Sequence, residues 1–160
     1  MKLTTKARYA VMAMVDIAGQ SCENPVTLAE VADRQDISLA YLEQLFCKLR
    51  RADIVRSVRG PGGGYCLCRA AHKISVCDII MAVEEPIKAV RCERGSGAGC
   101  VKGLKCQTHD LWAALDSHIH NYLASITLAE ILNGDLPSPC QNTGDIFQPV
   151  INDENARTLN

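Results

Sequence analysis

No stretch of this sequence approaches the roughly twenty consecutive apolar residues a helix needs to cross a bilayer, so a membrane-spanning segment is excluded and a soluble protein expected. The opening, Met1-Lys2 followed by Val11-Met12-Ala13-Met14-Val15, faintly imitates a secretory signal. Arg8 and Asp16 flank and interrupt the apolar run, however, and it reads as a buried helix. Also missing is any paired dithiol of the C-x2-C kind at a helix start, which removes a thiol redox enzyme from consideration. The glycine run Gly60-Pro61-Gly62-Gly63-Gly64 lacks the Gly-Lys followed by Ser or Thr that a phosphate-binding loop requires. Net charge is almost absent, at -1, and by itself selects no partner. Its distribution does: residues 1–75 carry eleven Lys or Arg against seven Asp or Glu, and the remainder six against eleven. Only the front half has the sign to meet a polyanion.

Cysteine, by contrast, is abundant. Nine cysteines could suggest a secreted disulfide framework, but the count is odd and the 160-residue chain is 48% hydrophobic. A reducing cytoplasm fits better. Three thiols, Cys92, Cys100 and Cys106, share one loop with His109, and Gly95, Gly97, Gly99 and Gly103 let that loop fold back on itself. Three thiols and an imidazole within eighteen residues imply a bound metal. Such a set suits tetrahedral zinc or an iron-sulfur cluster. The gaps are seven, five and two residues, and only Cys106 and His109 form the tight pair usual in structural zinc sites. Wider gaps suit a two-iron cluster, whose ligands sit on separate irons. Incidental cysteines are the weaker alternative, because free cysteine prefers burial and this loop is polar.

The rest of the pattern is mainly helical. Thr4 or Thr5 caps a first helix to about Ala18, apolar nearly all round from Tyr9 to Val15 and therefore central. Thr27-Leu28-Ala29-Glu30 is a capping box opening a short helix to about Arg34. After a break at Gln35 to Ile37, Ser38 caps a helix whose Leu42, Leu45, Phe46 and Leu49 form one buried stripe. Helix, brief turn and helix make a helix-turn-helix. Opposite the stripe lie Ala40, Gln44, Cys47 and Arg51, flanked by Tyr41, Glu43 and Lys48. That face can be an ordinary solvated one or can enter a major groove, where Gln44 pairs with adenine, Glu43 accepts from cytosine, and Lys48 or Arg51 reaches phosphate or guanine.

Two short strands favour the groove. Residues Ile54 to Arg59 and Tyr65 to Arg69, joined by the glycine run, predict a hairpin with a basic rim, a wing. Arg59, beside the glycines at the tip, can enter a narrow minor groove. Ser75 caps a further helix through Glu84 with Val76, Ile79, Ile80 and Val83 turned inward, closing the winged-helix core. A long helix then begins near Thr108 and shows Leu111, Trp112, Leu115, Ile119, Tyr122, Leu123 and Ile126 along one face. It reads as a dimer element, with packing inside the monomer as the alternative. A dimer places two recognition helices on successive turns of double-stranded DNA. Thr127 to Glu130 is a second capping box, opening a short helix that ends at Asn133-Gly134. The expected organisation is a winged helix-turn-helix domain over 1–85, a metal loop over 86–109, dimerisation and final helices over 110–134, and a disordered tail over 135–160.

The residues quoted carry a family resemblance. The opening Leu3-Thr4-Thr5-Lys6-Ala7-Arg8-Tyr9-Ala10, the helix Ile37-Ser38-Leu39-Ala40-Tyr41-Leu42-Glu43-Gln44-Leu45-Phe46 and the wing Val58-Arg59-Gly60-Pro61-Gly62-Gly63-Gly64-Tyr65 resemble the winged-helix iron-sulfur regulators of the IscR type, over residues 1 to about 134. The resemblance implies a homodimeric, non-enzymatic transcription factor with one 2Fe-2S cluster per subunit on Cys92, Cys100, Cys106 and His109, received from the cluster-assembly machinery. It also implies DNA contacts from Lys6, Arg8, Ser38, Ala40, Tyr41, Glu43, Gln44, Lys48, Arg51, Arg56, Arg59, Gly60 and Pro61. The implied mechanism is feedback: the cluster-loaded dimer represses the genes for cluster assembly, and the cluster-free protein still regulates a second class of sites. Two departures stand out. The gap from Cys92 to Cys100 is about two residues longer than is common, and Ala40 stands where a small polar residue is often found. Nitric oxide sensing on the same fold, a winged-helix protein with structural zinc, and a cluster carrier without DNA are the competing functions. Cys47, Cys66, Cys68 and Cys77 read as packing residues, although Cys66 and Cys68 share a strand face, and His72, His118 and His120 read as surface or packing residues.

Overall fold

The computed structural model describes residues 4–20, 24–83 and 106–137. Helix α1 (Thr5–Ala18) starts where the Thr4 hydroxyl accepts the Ala7 amide at 3.4 Å. Ala7, Ala10, Ala13, Met14 and Ile17 are buried on it, and the three alanines let neighbouring helices approach closely. Around α1 pack α2 (Leu28–Gln35), α3 (Leu39–Arg51), the hairpin, α4 (Val76–Val83) and α6 (Leu128–Asn133). The central position expected for the first helix is thus observed.

The Thr27–Glu30 capping box forms at both ends, Thr27 N–H to the carboxylate at 2.8 Å and Glu30 N–H to the hydroxyl at 3.2 Å. Helix α2 ends at Asp36, whose left-handed φ of 52° turns the chain so that Ile37 N–H reaches the Ala32 carbonyl and its side chain is buried. Ser38 occupies the start of α3, but its hydroxyl makes no capping bond there, contrary to expectation. The stripe Leu42, Leu45, Phe46 and Leu49 is buried as the spacing requires.

Strands β1 (Val55–Val58) and β2 (Gly64–Leu67) pair antiparallel, Val55 opposite Leu67 and Val58 opposite Gly64. They are shorter than predicted, because Arg59 belongs to the turn and Cys68 and Arg69 follow the last pair. Gly60 and Gly62 hold φ of 109° and 77°, angles that disfavour any side chain. A third segment completes the wing: Val26 bridges Tyr65 with hydrogen bonds of 3.0 and 2.7 Å. Ring packing of Tyr65 on Phe46, centroids 5.0 Å apart, seats the hairpin on α3.

Ser75 and Asp78 cap α4 reciprocally at 3.1 Å each. After α5 (His109–Ser125) the chain returns to the core: Val76 N–H donates to the Ile126 carbonyl at 2.8 Å and Leu128 N–H to the Ile74 carbonyl at 3.0 Å. The second capping box then opens α6, which packs on α1, and Leu128 is fully buried in the main core. The segment expected to hold a metal lies outside the described residues except for 106–109, as does the expected tail except for 135–137. No described helix is long and apolar enough to cross a membrane.

Candidate nucleic-acid interface and metal loop

Two packed rings register the start of α1 against the start of α3, Tyr9 and Tyr41 meeting edge to face at 5.9 Å. Lys6 and Arg8 are exposed on the first turn of α1, the same end of the helix as Tyr9. Along α3, Ala40, Gln44 and Arg51 are exposed and opposite the buried stripe, Glu43 is exposed on its flank, and Tyr41 is half-buried. Arg50 and Arg51 stand in the last turn, where the helix dipole favours cations. Arg59, Gly60 and Pro61 are exposed at the wing tip.

Two further exposed basic residues have identified surroundings. Lys48 is exposed, but its ammonium donates to the Val83 carbonyl at 2.8 Å, closing the end of α4. That bond gives a helix-end carbonyl a partner. Arg56 belongs to the wing base, where with Arg69, Gln20 and Cys68 it lines an open recess of about 530 Å³ against the end of α1. Arg69 was not picked out from the sequence, since only the folded hairpin brings it beside Arg56.

The scaffold beneath this face is electrostatically fastened. Asp16 of α1 accepts from Arg34 Nε at 3.1 Å and from Gln35 Nε2 at 2.8 Å, both of α2. The Arg34 hydrogen bond holds the Asp16 carboxyl below its ordinary range against the opposing effect of burial, and in turn raises Arg34. The Thr27 backbone and hydroxyl lower Glu30, and the Thr127 hydroxyl and backbone lower Glu130.

Of the four proposed metal ligands, Cys92 and Cys100 lie outside the described residues. Cys106 and His109 are both half-buried at the entry to α5, in a turn closed by the His109 N–H on the Cys106 carbonyl at 3.0 Å. Thr108 lies between them, its hydroxyl 3.6 Å from Cys106 Sγ and accepting the Trp112 indole N–H at 3.2 Å. This tight turn brings a thiol and an imidazole to one helix end, the donor chemistry that either a 2Fe-2S cluster or zinc takes.

Helix α5 has no buried residue over its seventeen positions. Leu111, Trp112, Leu115 and Tyr122 are 61, 42, 42 and 53% exposed. Leu111, Leu115 and Tyr122 fall within about 40° on the helical wheel. Ile119 and Leu123 are half-buried. Ile126 does not belong to this face: it lies past the helix in extended backbone, buried against Ala7, Val76 and Ile80 of its own chain. The hydrogen bond to Val76 pulls it inward, so the assignment of Ile126 to a dimer interface is corrected.

A helix-turn-helix with an exposed polar face, an adjoining glycine-rich wing and a basic front half define a DNA-binding transcription regulator. The sequence profile of the Rrf2 family, described as iron-dependent transcriptional regulators, matches residues 3–134. The chain belongs to the Rrf2 family. It is 54% identical over 132 residues to the HTH-type transcriptional regulator IscR of Vibrio campbellii, covering 82% of this chain and 77% of that relative. It is 46% identical to the IscR of Sodalis glossinidius over all of this chain and 97% of that one. Among solved structures, T. potens IscR superposes with a TM-score of 0.69 at 38% identity, covering 84% of this chain and 88% of that one. CymR, the global cysteine regulator of B. subtilis, does so at 0.70 and 32%, covering 84% and 98%. The winged-helix architecture and the regulatory, non-enzymatic class read from the sequence agree with these relatives.

Proposed function

We propose that the protein is a cytoplasmic homodimer that senses iron-sulfur status and regulates genes for iron-sulfur cluster biogenesis. It represses one class of promoters and, at a second class, also activates, its choice of DNA site set by 2Fe-2S occupancy. The observation that carries this reading is the junction at His109: a proposed ligand is the first residue of a helix that has no buried residue and exposes four large apolar side chains.

Cys92, Cys100, Cys106 and His109 would hold the cluster, one per subunit, donated by the cluster-assembly machinery. When bound, the group supplies an oxidant-sensitive link whose presence reports iron and sulfide supply. His109 makes the set more labile than four thiolates, because a neutral imidazole contributes one negative charge less. Cys106 and His109, if they held the group, would tighten the turn that starts α5, and Leu111, Trp112, Leu115 and Tyr122 would carry that change across a two-fold interface. The partner's wing and α3 then shift relative to this chain's own. On the DNA, Lys6, Arg8 and Arg51 meet phosphates, Gln44 and Glu43 read base edges, and Arg59 enters the minor groove.

Anaerobic purification followed by a visible spectrum and iron and sulfide counts tests this, repeated on His109→Ala. Charge-transfer bands with matched iron and sulfide, lost in the variant, are expected. A colourless protein containing zinc would leave a DNA binder with a structural metal and no switch.

A further inference from the structure

Cys77 of α4 is 4% exposed and stands between two other soft donors. Its Sγ lies 3.1 Å from Nδ1 of His120 on α5 and 3.7 Å from Sδ of Met81, one turn along α4. The Cys77 sulfur is thus in contact with both an imidazole nitrogen, whose donor or acceptor role depends on its tautomer, and a thioether sulfur. Met81 is 49% exposed and His120 is exposed, so the cluster opens to solvent on one side.

We propose that Cys77, Met81 and His120 form a binding site for a soft monovalent metal ion, copper(I), distinct from the loop of Cys92 to His109. Thiolate and imidazole also suit zinc and iron, and the thioether is the donor that favours a soft ion. Charge points the same way. One thiolate with a monovalent ion leaves a neutral site beside buried apolar residues, whereas a divalent ion would leave a net positive charge there. The neighbouring Asp78 carboxylate is not a donor to this group, because it accepts the Ser75 N–H at 3.1 Å as the cap of α4.

The two separations from the Cys77 sulfur are close to what the ion needs. With bonds of about 2.3 Å to sulfur and about 2.0 Å to nitrogen, a trigonal site holds its donors roughly 3.7 to 4.0 Å apart. The observed 3.1 and 3.7 Å require only a small opening, which the flexible Met81 side chain and the surface position of His120 allow. Binding is an exchange without redox change: copper(I) enters, the Cys77 S–H bond breaks, a Cys77 S–Cu bond forms, and the proton leaves to solvent. Burial raises the Cys77 thiol, so the proton is present to be displaced at neutral pH.

The probe is one equivalent of copper(I), supplied as its acetonitrile complex without oxygen to the full-length chain grown with selenomethionine. X-ray absorption at the copper edge should show a bonded selenium shell together with sulfur and nitrogen, because the loop contains no methionine. Met81→Leu should remove the selenium shell. Affinity against a chromogenic copper(I) chelator should fall at least about tenfold in both Met81→Leu and His120→Asn. A copper shell of sulfur alone would place the ion on the loop thiols and overturn the proposal, as would a selenium shell that survives Met81→Leu. The selenium shell needs no variant to be read, so a poorly folding substitution leaves the test intact.

Discussion

Gly64 sits where the wing crosses the segment before α2, and replacing it with alanine should detach the wing from that anchor. A Cβ there would lie 2.5 Å from both the carbonyl carbon and the oxygen of Val26, and 3.0 Å from the Pro25 carbonyl carbon. These are backbone atoms, so no side chain can swing aside. Relief requires Val26 and Tyr65 to part by about an ångström, which breaks their bonds of 3.0 and 2.7 Å. Two partly buried amide bonds at about 1 kcal/mol each, with some loss of Tyr65 packing on Phe46, make a destabilisation of about 2–3 kcal/mol. At roughly 3–4 °C per kcal/mol for a chain of this size, the melting temperature should drop about 6–12 °C. Urea denaturation measures the stability, and amide hydrogen exchange at Val26 and Tyr65 locates it. Gly62→Ala is the control: its φ of 77° makes alanine unfavourable, but no atom lies within 4 Å, so about 1 kcal/mol is lost and Tyr65 exchange stays slow. Stability within about 0.5 kcal/mol of the parent in Gly64→Ala, with Tyr65 still protected, would show that the bridge is not the wing's anchor.

Asp16→Asn should cost about 1 kcal/mol at neutral pH, measured by urea denaturation, since Arg34 is part-exposed and the ion pair screened. Because the folded carboxyl is lowered from 3.8, that difference should be complete above the unfolded pKa and vanish as pH falls through the lower folded value. A gap between parent and variant that persists undiminished in acid would contradict this. Arg59→Ala should weaken DNA binding, by about 1–3 kcal/mol in gel shifts, whereas Glu43→Ala should broaden the set of sequences bound; identical behaviour of both across promoters would remove the groove assignments. Leu115→Glu should leave helicity intact and give a monomer in sedimentation, and a dimer of unchanged affinity would exclude the α5 stripe as the interface. Cys92→Ala should abolish the cluster and change affinity at some promoters; unchanged affinity at every one would sink the sensing mechanism.

Elements with local causes were legible in the sequence. The two Thr-x-x-Glu boxes, the Leu42 to Leu49 stripe and the glycine-rich wing tip each act within a few residues, and each appears where its residues stand. Features made by pairing distant segments were not. Nothing local marks Val26 as a third strand segment, Ile126 as a core residue, or Lys48 as the partner of the Val83 carbonyl. Ile126 continues the apolar spacing of α5, and only its bond to Val76 shows that the helix has already ended. Similarly, Cys77 and His120 each read as packing or surface residues singly, because their contact exists only once α5 lies on α4. The Ser38 hydroxyl shows the reverse error, a favourable capping residue whose carbonyl alone takes the expected role.

The hydrogen bond between Val76 and Ile126 makes a closed ring of the chain between them, tied off against the core. What lies inside the ring can change in length without altering the path of α1, α2, α3 or the wing, which are all completed before it opens. Two additional residues in a ring of about fifty cost only about 0.04 kcal/mol in closure entropy. An interval between Cys92 and Cys100 of seven residues or of five is therefore nearly equivalent in closure entropy, and the segment carrying the proposed ligands can vary in length while the helix-turn-helix and wing stay fixed.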